Sequence, residues 1–420
     1  MALRSSAGRA ALLRRRSAAA GPGPGPGPRA LAAGAGAGTV AVVGAGLAGL
    51  VCAGELRRRT GRRVLLLEQA RGPGGRASSR VGRSPGPTPG WAWDHGCQYL
   101  GPKSAAVAGM CDAWVAQGAL AEWEGTFGLL DLAAGAFAAD SRPKRRLVGT
   151  PTMGALARHL AEEAQGLGVE VRFDAQVSGL RRGPGGGWTV FSESRRAGAA
   201  ETAVDAVVLA DCLQAPLLEG LDGADEGIAA LARTMRAAGR RDPAPSNPSF
   251  AALLAVRGPS GLPDGVAVAG SERVSWMAKD SGKPGRAACT PADVELWTLQ
   301  ATPRFAARVL EEKGFTRRGT AEHEAMLGEV AADLAAAARE AFEAIGETFP
   351  ELVAEPVAHR WGSAFPPACA CEETARARCG SAAGSSLWAV GDWAAPAGEE
   401  GRVEAAVLSG LAAAARIGAG

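Results

Sequence analysis

The sequence predicts an α/β fold of the Rossmann-like, dinucleotide-binding kind from three adjacent stretches. The β-branched run 39–43 predicts a buried strand, the segment 47–59 predicts a helix, and the apolar run 63–67 predicts a second strand. Between the first strand and the helix lies a glycine-rich turn that reads GAGLAG. Strand, glycine-rich turn, helix and strand in this order are typical of the first half of a dinucleotide-binding sheet.

The glycine-rich turn has the spacing that a pyrophosphate requires. Gly44 allows a tight turn, Gly46 lets the backbone approach the phosphates, and Gly49 lets the helix lie close to its strand. The helix N-terminus adds free N–H groups and the positive end of the helix dipole. The predicted phosphate-binding residues are therefore Gly44, Ala45, Gly46, Leu47, Ala48 and Gly49.

Glu68 ends the second predicted strand, 19 residues after Gly49. A carboxylate in this place binds the ribose hydroxyls of an adenosine, and it disfavours a 2′-phosphate, since two anions would face each other. The alternative interpretation is a glycine-rich packing motif without a ligand, because a chain with 59 glycines can contain the motif by chance.

Two further blocks after Glu68 indicate a ligand other than a nicotinamide dinucleotide. Arg71-Gly-Pro-Gly-Gly-Arg76 contains two adjacent glycines and an arginine, which suit a second backbone approach to a pyrophosphate. The segment 94–100, which reads DHGCQYL, is a polar loop that could reach a ring system. A dehydrogenase that uses NAD does not need the first of these blocks.

The C-terminal block combines an acid at the end of a strand with a following helix. The apolar run 387–390 ends on Gly391 and Asp392, and this aspartate could hold a ribityl or phosphate-side hydroxyl. A helix rich in small residues follows from about Gly401. Its positive end would face the N1/C2=O edge of a flavin, where reduction places negative charge.

In this order the blocks resemble the flavin amine-oxidase superfamily, specifically the renalase-like FAD-dependent oxidoreductases. The resemblance extends from Val40 to about Ile417, and the segments 276–286, 299–303 and 358–361 look like the substrate-domain signatures of that family. It implies an α/β fold with a discontinuous, two-dinucleotide-binding (Rossmann-like) FAD domain and an α+β substrate domain. The FAD domain is expected in 39–105, 150–213 and 379–420, and the substrate domain in 106–149 and 214–378.

The resemblance also implies which residues hold non-covalent FAD. The adenine–pyrophosphate half is expected on the two glycine blocks and Glu68, and the ribityl–isoalloxazine half on Asp392 and the backbone of Val403. Val177 is expected beside the adenine. Together with the turn at 44–49, the predicted cofactor-binding residues are Glu68, Gly74, Gly75, Arg76, Gly96, Cys97, Gln98, Val177, Gly391, Asp392 and Val403.

Candidate active-site residues are few. The chain has one tyrosine and ten tryptophans, so a paired-tyrosine cage is excluded, and Trp297 and Trp361 are candidates for a wall. Core packing is the alternative for both. His95 and His359 fall in family-like loops and are predicted to act beside the flavin or the substrate.

The other two histidines are not active-site candidates, and the sequence does not identify the substrate. His159 and His323 fall on amphipathic helices and are expected at the surface. The family often has an aromatic residue two places after the tryptophan of its His-Arg-Trp block, where this chain has Ser363. That departure weakens any substrate assignment carried over from the family.

The function implied by the resemblance is an FAD-dependent oxidoreductase. It takes a hydride from a small donor, an amine or a dihydronicotinamide isomer, onto flavin N5, and passes the electrons to dioxygen or another acceptor. No protein nucleophile is needed for this chemistry. One alternative is a desaturase-type flavoprotein that acts on a lipid or pigment. Another is a catalytically idle, FAD-bound assembly factor.

Residues 1–38 form an arm without a carboxylate, and the first acidic residue is Glu55. The arm holds six arginines and a Gly-Pro repeat at 21–28, a composition typical of a transit peptide for the chloroplast or, alternatively, the mitochondrion. A disordered basic tail is the other interpretation. Without the arm the net charge changes from +3 to about −3, so no nucleic-acid partner is indicated.

Composition bounds the remaining possibilities. The 420 residues, 47% of them hydrophobic, suffice for a large core or two domains. The uncharged run 30–54 contains the glycine-rich turn, so a strand and a helix are expected there and no transmembrane segment. Cys369, Cys371 and Cys379 lack the paired spacing of a zinc site, so reduced thiols and no metal are predicted.

The middle of the chain predicts further elements. Pro151 is expected at the first position of a helix that runs to about Gly166, and a strand follows at 169–173. Strands are also expected at 188–191, 204–209, 250–256 and 294–300, the first two in a second βαβ-like insertion that completes the FAD domain. The segment 322–347 carries an apolar stripe at helical spacing and predicts a long helix.

Overall fold

The structure is a computed structural model, and it describes residues 38–82, 88–142, 144–183, 185–239, 248–288, 290–367, 369, 371–382 and 386–419. These residues all belong to one compact unit. Apart from Gly38, the predicted N-terminal arm lies outside the described residues, so its targeting role stays a prediction.

Within those ranges the strands are, in chain order, β1 Thr39–Val43, β2 Arg63–Glu68, β3 Arg80–Val81, β4 Ala92–Trp93, β5 Leu120–Glu122, β6 Phe127–Asp131, β7 Ala136–Ala139, β8 Leu147–Gly149, β9 Glu170–Phe173, β10 Gln176–Arg182, β11 Trp188–Ser194, β12 Gly198–Val204, β13 Ala206–Leu209, β14 Ser249–Arg257, β15 Gly265–Ala269, β16 Val274–Lys279, β17 Val294–Ala301, β18 Val357–Trp361, β19 Gly380–Ala382 and β20 Leu387–Ala389. The helices are α1 Leu47–Thr60, α2 Ala105–Ala116, α3 Met153–Gly166, α4 Pro216–Glu219, α5 Glu226–Ala238, α6 Pro303–Lys313, α7 Ala321–Glu343, α8 Glu372–Ala377 and α9 Val403–Gly418.

A six-stranded sheet contains the predicted dinucleotide-binding unit. Its order is β19-β20-β13-β1-β2-β9, and every pair is parallel except β19 with β20. Val40 and Val42 of β1 face a core built with α1, α3 and α9, whereas Ala41 and Val43 face a second core that includes α5. Burial on both faces explains the unbroken apolar run of β1. The predicted α/β, Rossmann-like fold is confirmed.

Glycines allow α1 to pack tightly in this sheet and against α9. A Cβ on Gly49 would lie 2.0 Å from the carbonyl oxygen of Gly44. A Cβ on Gly410 of α9 would lie 2.5 Å from the carbonyl oxygen of Ala48 on α1. Both distances are too short for any side chain, so these two glycines set how closely the helix approaches its neighbours.

The insertion between β2 and β13 differs from the predicted second βαβ unit. Helix α3 and strand β9 do extend the parallel sheet, but β10, β11 and β12 form a separate antiparallel sheet. The prediction that Pro151 begins the helix is wrong as well: Thr152 occupies the N-cap, and Pro151 follows a cis peptide bond with Thr150.

A seven-stranded sheet of order β18-β14-β17-β16-β15-β6-β7 supplies the other half of the molecule. Its register aligns His359, Ala251, Gln300 and Trp276 in one row across β18, β14, β17 and β16. Residues paired in this way lie on the same face of a sheet. The opposite face packs on α6 and α7, where the apolar stripe of α7 is buried as predicted.

Candidate active site

A cleft of about 2490 Å³ lies at the carboxyl ends of the parallel strands, and its wall continues over the row of His359, Gln300 and Trp276. Drug-sized ligands occupy sites of roughly 300–1,000 Å³, so this cleft has room for a larger molecule. Every predicted cofactor-binding residue except Ala45 and Gly49 lines it. These two residues face away from the cleft: Ala45 is fully buried, and Gly49 packs on Gly44.

The two glycine blocks meet at one end of the cleft. The N–H of Gly74 donates to the carbonyl oxygen of Ala45 at 2.8 Å, and Gly46 forms a bridge with Gly74. Gly74 and Gly75 have φ values of 124° and 52°, which favour glycine. The second block therefore needs its glycines for its own backbone conformation, and it lies directly against the first.

Gly46 needs its small size for a different reason. Its φ of −71° and ψ of 173° are open to any residue, and a Cβ built there meets no atom within 4 Å. The space that this Cβ would fill is the cleft itself. Neither packing nor backbone conformation within the described chain requires glycine at this position, whereas a ligand at the N-terminus of α1 would.

Glu68 fixes the glycine-rich turn 44–49 through hydrogen bonds to its carboxylate. Its Oε2 accepts from the N–H of Ala45 and its Oε1 from the N–H of Ala70, both at 2.7 Å. The side chain is 9% exposed and lines the cleft beside Gly44. Each carboxylate oxygen has a second lone pair, so Glu68 can still accept a hydroxyl.

Glu68→Ala is expected to weaken FAD binding by ~1–3 kcal/mol, the contribution of hydrogen bonds to a charged group. The loss combines the predicted ribose contact with the support of Ala45. It is measured by FAD titration of the purified variant. Full FAD occupancy after extensive dialysis would show that the ribose assignment is wrong.

Arg76 and Asp392 connect the second glycine block to the strand end after β20. The guanidinium makes two hydrogen bonds of 2.6 Å to the Asp392 carboxylate and a third of 3.0 Å to the carbonyl oxygen of Ala364. Asp392 is nearly buried, and the arginine is 38% exposed toward the cleft. The hydroxyl of Ser409 on α9 accepts from the N–H of Gly391 at 3.0 Å and fixes that strand end.

The N-terminus of α9 opens onto the same region. Arg402, Val403 and Glu404 line the cleft, and Arg402 is the N-cap without a side-chain cap. The Glu404 carboxylate accepts from the N–H groups of Lys103 and Ser104 at 2.8 and 2.7 Å. It thereby ties α9 to the start of α2. The first N–H groups of a helix have no partner within it, and the expected binding of a ligand by the Val403 backbone stays a prediction.

At the other end of the cleft the loop 94–100 meets the seven-stranded sheet. Three rings gather there: His95 lies 4.6 Å from His359 and 5.0 Å from Trp361, between ring centroids. The indole N–H of Trp361 donates to the carbonyl oxygen of His95 at 2.8 Å, and the Gln300 amide donates to that of Gly96 at 2.7 Å. The structure therefore brings His95, His359 and Trp361 together on the cleft wall.

Both histidines are neutral at pH 7. Burial, with the nearby charge of Arg80, lowers the pKa of His95 to about 4. Burial and the adjacent His95 lower the pKa of His359 to about 2. His95 is 6% exposed, and its Nδ1 has no hydrogen-bond partner among the described residues. A buried polar atom of this kind indicates a ligand or a water.

The depressed pKa of His95 predicts a loss of stability in acid. Between pH 6.5 and about 4 the unfolded chain binds a proton at this residue and the native chain does not. The free energy of unfolding therefore falls as the pH drops through this window, by up to ~3 kcal/mol. His95→Gln is expected to remove this part of the pH dependence, as measured by urea unfolding. An unchanged acid limb would contradict the assignment.

Two sequence predictions about this end of the molecule are wrong. Trp297 is fully buried on the opposite face of the sheet, packed against Phe342 and Phe349. It stands three residues from Gln300, and an odd spacing on a strand reverses the face. His323 is 4% exposed rather than at the surface, and its Nδ1 lies 2.9 Å from the hydroxyl of Thr316.

Several cleft residues had no role in the sequence prediction. Tyr99 and Trp276 form a ring pair with centroids 5.8 Å apart, and both line the cleft. Gln214 lines the phosphate end and donates to the carbonyl oxygen of Val43 at 3.1 Å. The position of Trp276 and Gln300 inside family-like segments was the available signal. Only the register across strands shows that they share a face with His359.

The described residues contain no metal cluster, no disulfide and no helix that could span a membrane. No three His, Cys, Asp or Glu side chains within them converge as a metal site would need. The cysteines they include are free thiols, and burial raises the pKa of cleft-lining Cys97 to about 12. In the described ranges, no helix has both the length and the apolarity needed to cross a bilayer.

Comparison with known proteins agrees with the fold. Residues 42–114 match the family described as the NAD(P)-binding Rossmann-like domain. Wild-type putrescine oxidase bound to putrescine is similar with a TM-score of 0.56 at 15% identity, over 91% of this chain and 99% of that one. For an oxidoreductase from Methanosarcina mazei the TM-score is 0.58 at 13% identity, over 89% and 99%. CmlS, a flavin-dependent halogenase, has a TM-score of 0.50 at 18% identity, over 91% of this chain and 58% of its own.

Proposed function

We propose that the protein is an FAD-dependent oxidoreductase that takes a hydride from a small donor. The observation that carries this proposal is Gly46, whose backbone conformation suits any residue and whose missing side chain leaves the cleft open at a helix N-terminus. The second glycine block lies against it, and a nicotinamide dinucleotide would not require that block. The similarity to a flavin-dependent halogenase in fold agrees with a flavin.

The residues present fit FAD along the whole cleft. Gly44, Gly46 and the N-terminus of α1 would hold the pyrophosphate, and Glu68 the adenosine ribose. Arg76, Asp392 and the N-terminus of α9 would hold the ribityl chain and the pyrimidine edge of the ring. When bound, the flavin supplies a hydride acceptor at N5, and its electrons pass on to dioxygen or another acceptor.

The ring end of the cleft would position the donor. His95, His359 and Trp361 form an aromatic wall on one side, and Tyr99 with Trp276 forms a second ring pair. The neutral imidazole of His95 can donate or accept one hydrogen bond at its unpartnered Nδ1. With a pKa of about 4 it is a poor proton acceptor at pH 7, so we assign it to binding and orientation.

The charges at this end favour a dihydronicotinamide isomer over an amine. The carboxylates that line it, Glu324 and Glu355, are exposed, so an ammonium group would lack a buried partner among the described lining residues. Arg80 and Arg318 line the same end, and they oppose protonation of His95 while Asp94 favours it. A protonated amine is disfavoured where no buried carboxylate faces it.

We also retain the proposed division into an FAD domain and a substrate domain, carried by the two large sheets. Helices α2 and α5, which fall in the predicted substrate segments, pack in the cores of the six-stranded sheet. The proposed FAD domain therefore includes residues 105–116 and 226–238. The seven-stranded sheet with α6 and α7 forms the proposed substrate domain.

An anaerobic titration tests the proposed function. The full chain is reconstituted with FAD, and the visible spectrum is recorded as a dihydronicotinamide isomer or putrescine is added. Bleaching of the flavin band by the dihydronicotinamide isomer supports the proposal. Bleaching by putrescine alone would overturn the choice of donor. A bound flavin that neither compound reduces would overturn the proposed hydride donors and favour the assembly-factor alternative.

A further inference from the structure

Four charged side chains lie buried where the segment 280–286 meets the cleft loop 94–100. Asp94, Asp280, Lys283 and Arg286 are each at most 2% exposed. Two acids face two bases, so the charges balance. None of the four lines the cleft, and the proposed function assigns them no role.

Lys283 is the centre of this cluster. Its ammonium group donates to Asp280 Oδ1 at 2.6 Å, to Asp94 Oδ2 at 3.2 Å and to Gln98 Oε1 at 3.4 Å. An ammonium group has three N–H donors, so its capacity is used completely. Lys283 also lies 5.0 Å from the centre of the Trp123 ring. Two of its three partners belong to the cleft loop, at either end of the turn 94–98.

Asp94 connects this turn to the rest of the molecule. Its carboxylate accepts from Arg286 and from the hydroxyl of Ser79, both at 2.6 Å, and from the N–H of Met153 at 3.0 Å. The Gln98 amide donates back to the carbonyl oxygen of Asp94 and, at 3.3 Å, to that of Gly96. Lys283 therefore makes hydrogen bonds to both ends of the turn 94–98. Residues 95–98 of this turn all line the cleft.

The energetics argue that this cluster does more than hold the fold. Removing charges from water costs several kcal/mol for each ion, and well-packed apolar side chains often stabilise a fold equally well. Burial alone would raise the pKa of Asp94, yet Lys283 and Arg286 outweigh it and lower that pKa. Charged side chains differ from apolar ones in making directional hydrogen bonds. These bonds fix the orientation of the groups to which they are made.

We propose that Lys283 is a positioning residue that fixes the turn 94–98, and through it His95, Gly96 and Gln98, at the ring end of the cleft. Lys283 touches neither the cleft nor its contents. Its link to the flavin rests on the proposed function, whereas its link to the turn rests on the contacts alone. These two parts are tested by different measurements.

The test compares Lys283→Met with Lys279→Met. Lys279 is a matched control: it is 12% exposed, is the last residue of β16, pairs with Glu295 at 3.2 Å and donates to the carbonyl oxygen of Leu262 at 2.7 Å. Both its partners lie outside the turn. Each variant therefore loses a buried charge, but only Lys283→Met loses contacts to the turn.

Amide hydrogen exchange by mass spectrometry is measured for the peptide that covers 92–101, without added FAD. Lys283→Met is expected to raise its exchange rate by about tenfold or more, and Lys279→Met is expected to leave it near the wild-type rate. Equal exchange in the two variants would overturn the positioning role. The same holds if Lys283→Met exchanges like the wild-type chain.

The FAD dissociation constant is measured in parallel. Lys283→Met is expected to raise it by about tenfold relative to Lys279→Met, since a misplaced turn weakens the contacts it carries. A wild-type chain that does not bind FAD would refute the proposed function and leave the exchange result intact. If Lys283→Met does not fold, Ser79→Ala removes one anchor of Asp94 without removing a charge. It is expected to raise exchange in the same peptide, and unchanged exchange would overturn the proposal.

Discussion

Gly46→Val is expected to raise the Kd for FAD roughly a hundredfold or more while the free energy of unfolding stays close to the wild-type value. The backbone at this position is in a region open to valine, and a Cβ built there meets no atom within 4 Å. The added side chain would displace the pyrophosphate from the N–H groups of α1. The loss of two charge-assisted hydrogen bonds corresponds to about 3 kcal/mol or more, roughly a hundredfold in Kd.

Gly49→Ala is the matched control in the same turn. Its Cβ would lie 2.0 Å from the carbonyl oxygen of Gly44, so the turn or the helix must move. Overpacking of this kind costs about 1–3 kcal/mol. Urea unfolding and FAD titration are measured for both variants. A Gly46→Val chain that is destabilised as much as Gly49→Ala, or that binds FAD with the wild-type affinity, would contradict the role given to the cleft at Gly46.

Trp297→Ala is expected to lower the free energy of unfolding by ~3–5 kcal/mol, the usual cost of removing a buried indole. Trp297 is fully buried, and its ring lies 6.0 Å from that of Phe342 and 5.6 Å from that of Phe349. It does not line the cleft. FAD affinity measured below the unfolding transition is therefore expected to stay unchanged. Reduced FAD affinity in a folded variant would contradict a purely structural role of Trp297.

Trp361→Ala is expected to affect flavin reduction more than stability. Its ring is half-buried on the cleft wall and is held by one hydrogen bond to the carbonyl oxygen of His95. The stability loss should be smaller than for Trp297→Ala, while donor-driven reduction of bound FAD should slow. A stopped-flow measurement of flavin reduction separates the two variants. Equal reduction rates in wild-type protein and Trp361→Ala would contradict a donor-facing wall.

Local patterns in the sequence were sufficient for the first half of the fold. Strand β1, the turn at 44–49, helix α1 and strand β2 follow one another without interruption, so their order and spacing determine how they pack. The φ of Gly44, 107°, and the 2.0 Å approach at Gly49 agree with the roles assigned to these glycines. Contacts that join neighbours in sequence can be predicted from sequence.

The ring end of the cleft could not be predicted in the same way. Strand β17 is buried on both faces, so its sequence shows no alternation that would separate Trp297 from Gln300. Only its pairing with β14 and β16 shows that Gln300 faces the cleft. The ion pair of Arg76 with Asp392 likewise joins residues far apart in sequence. His323 was expected at the surface because it falls on an amphipathic helix, but it lies on the buried side of α7.

The most direct test of the proposed function compares the binding of two cofactors, FAD and NAD. The purified chain is titrated with FAD and, separately, with NAD, and binding is followed by calorimetry and by the visible spectrum of the protein. We expect stoichiometric FAD binding with a flavin spectrum that dialysis does not remove, and no tight binding of NAD. A colourless chain that binds NAD stoichiometrically and cannot be reconstituted with FAD would contradict the proposed function.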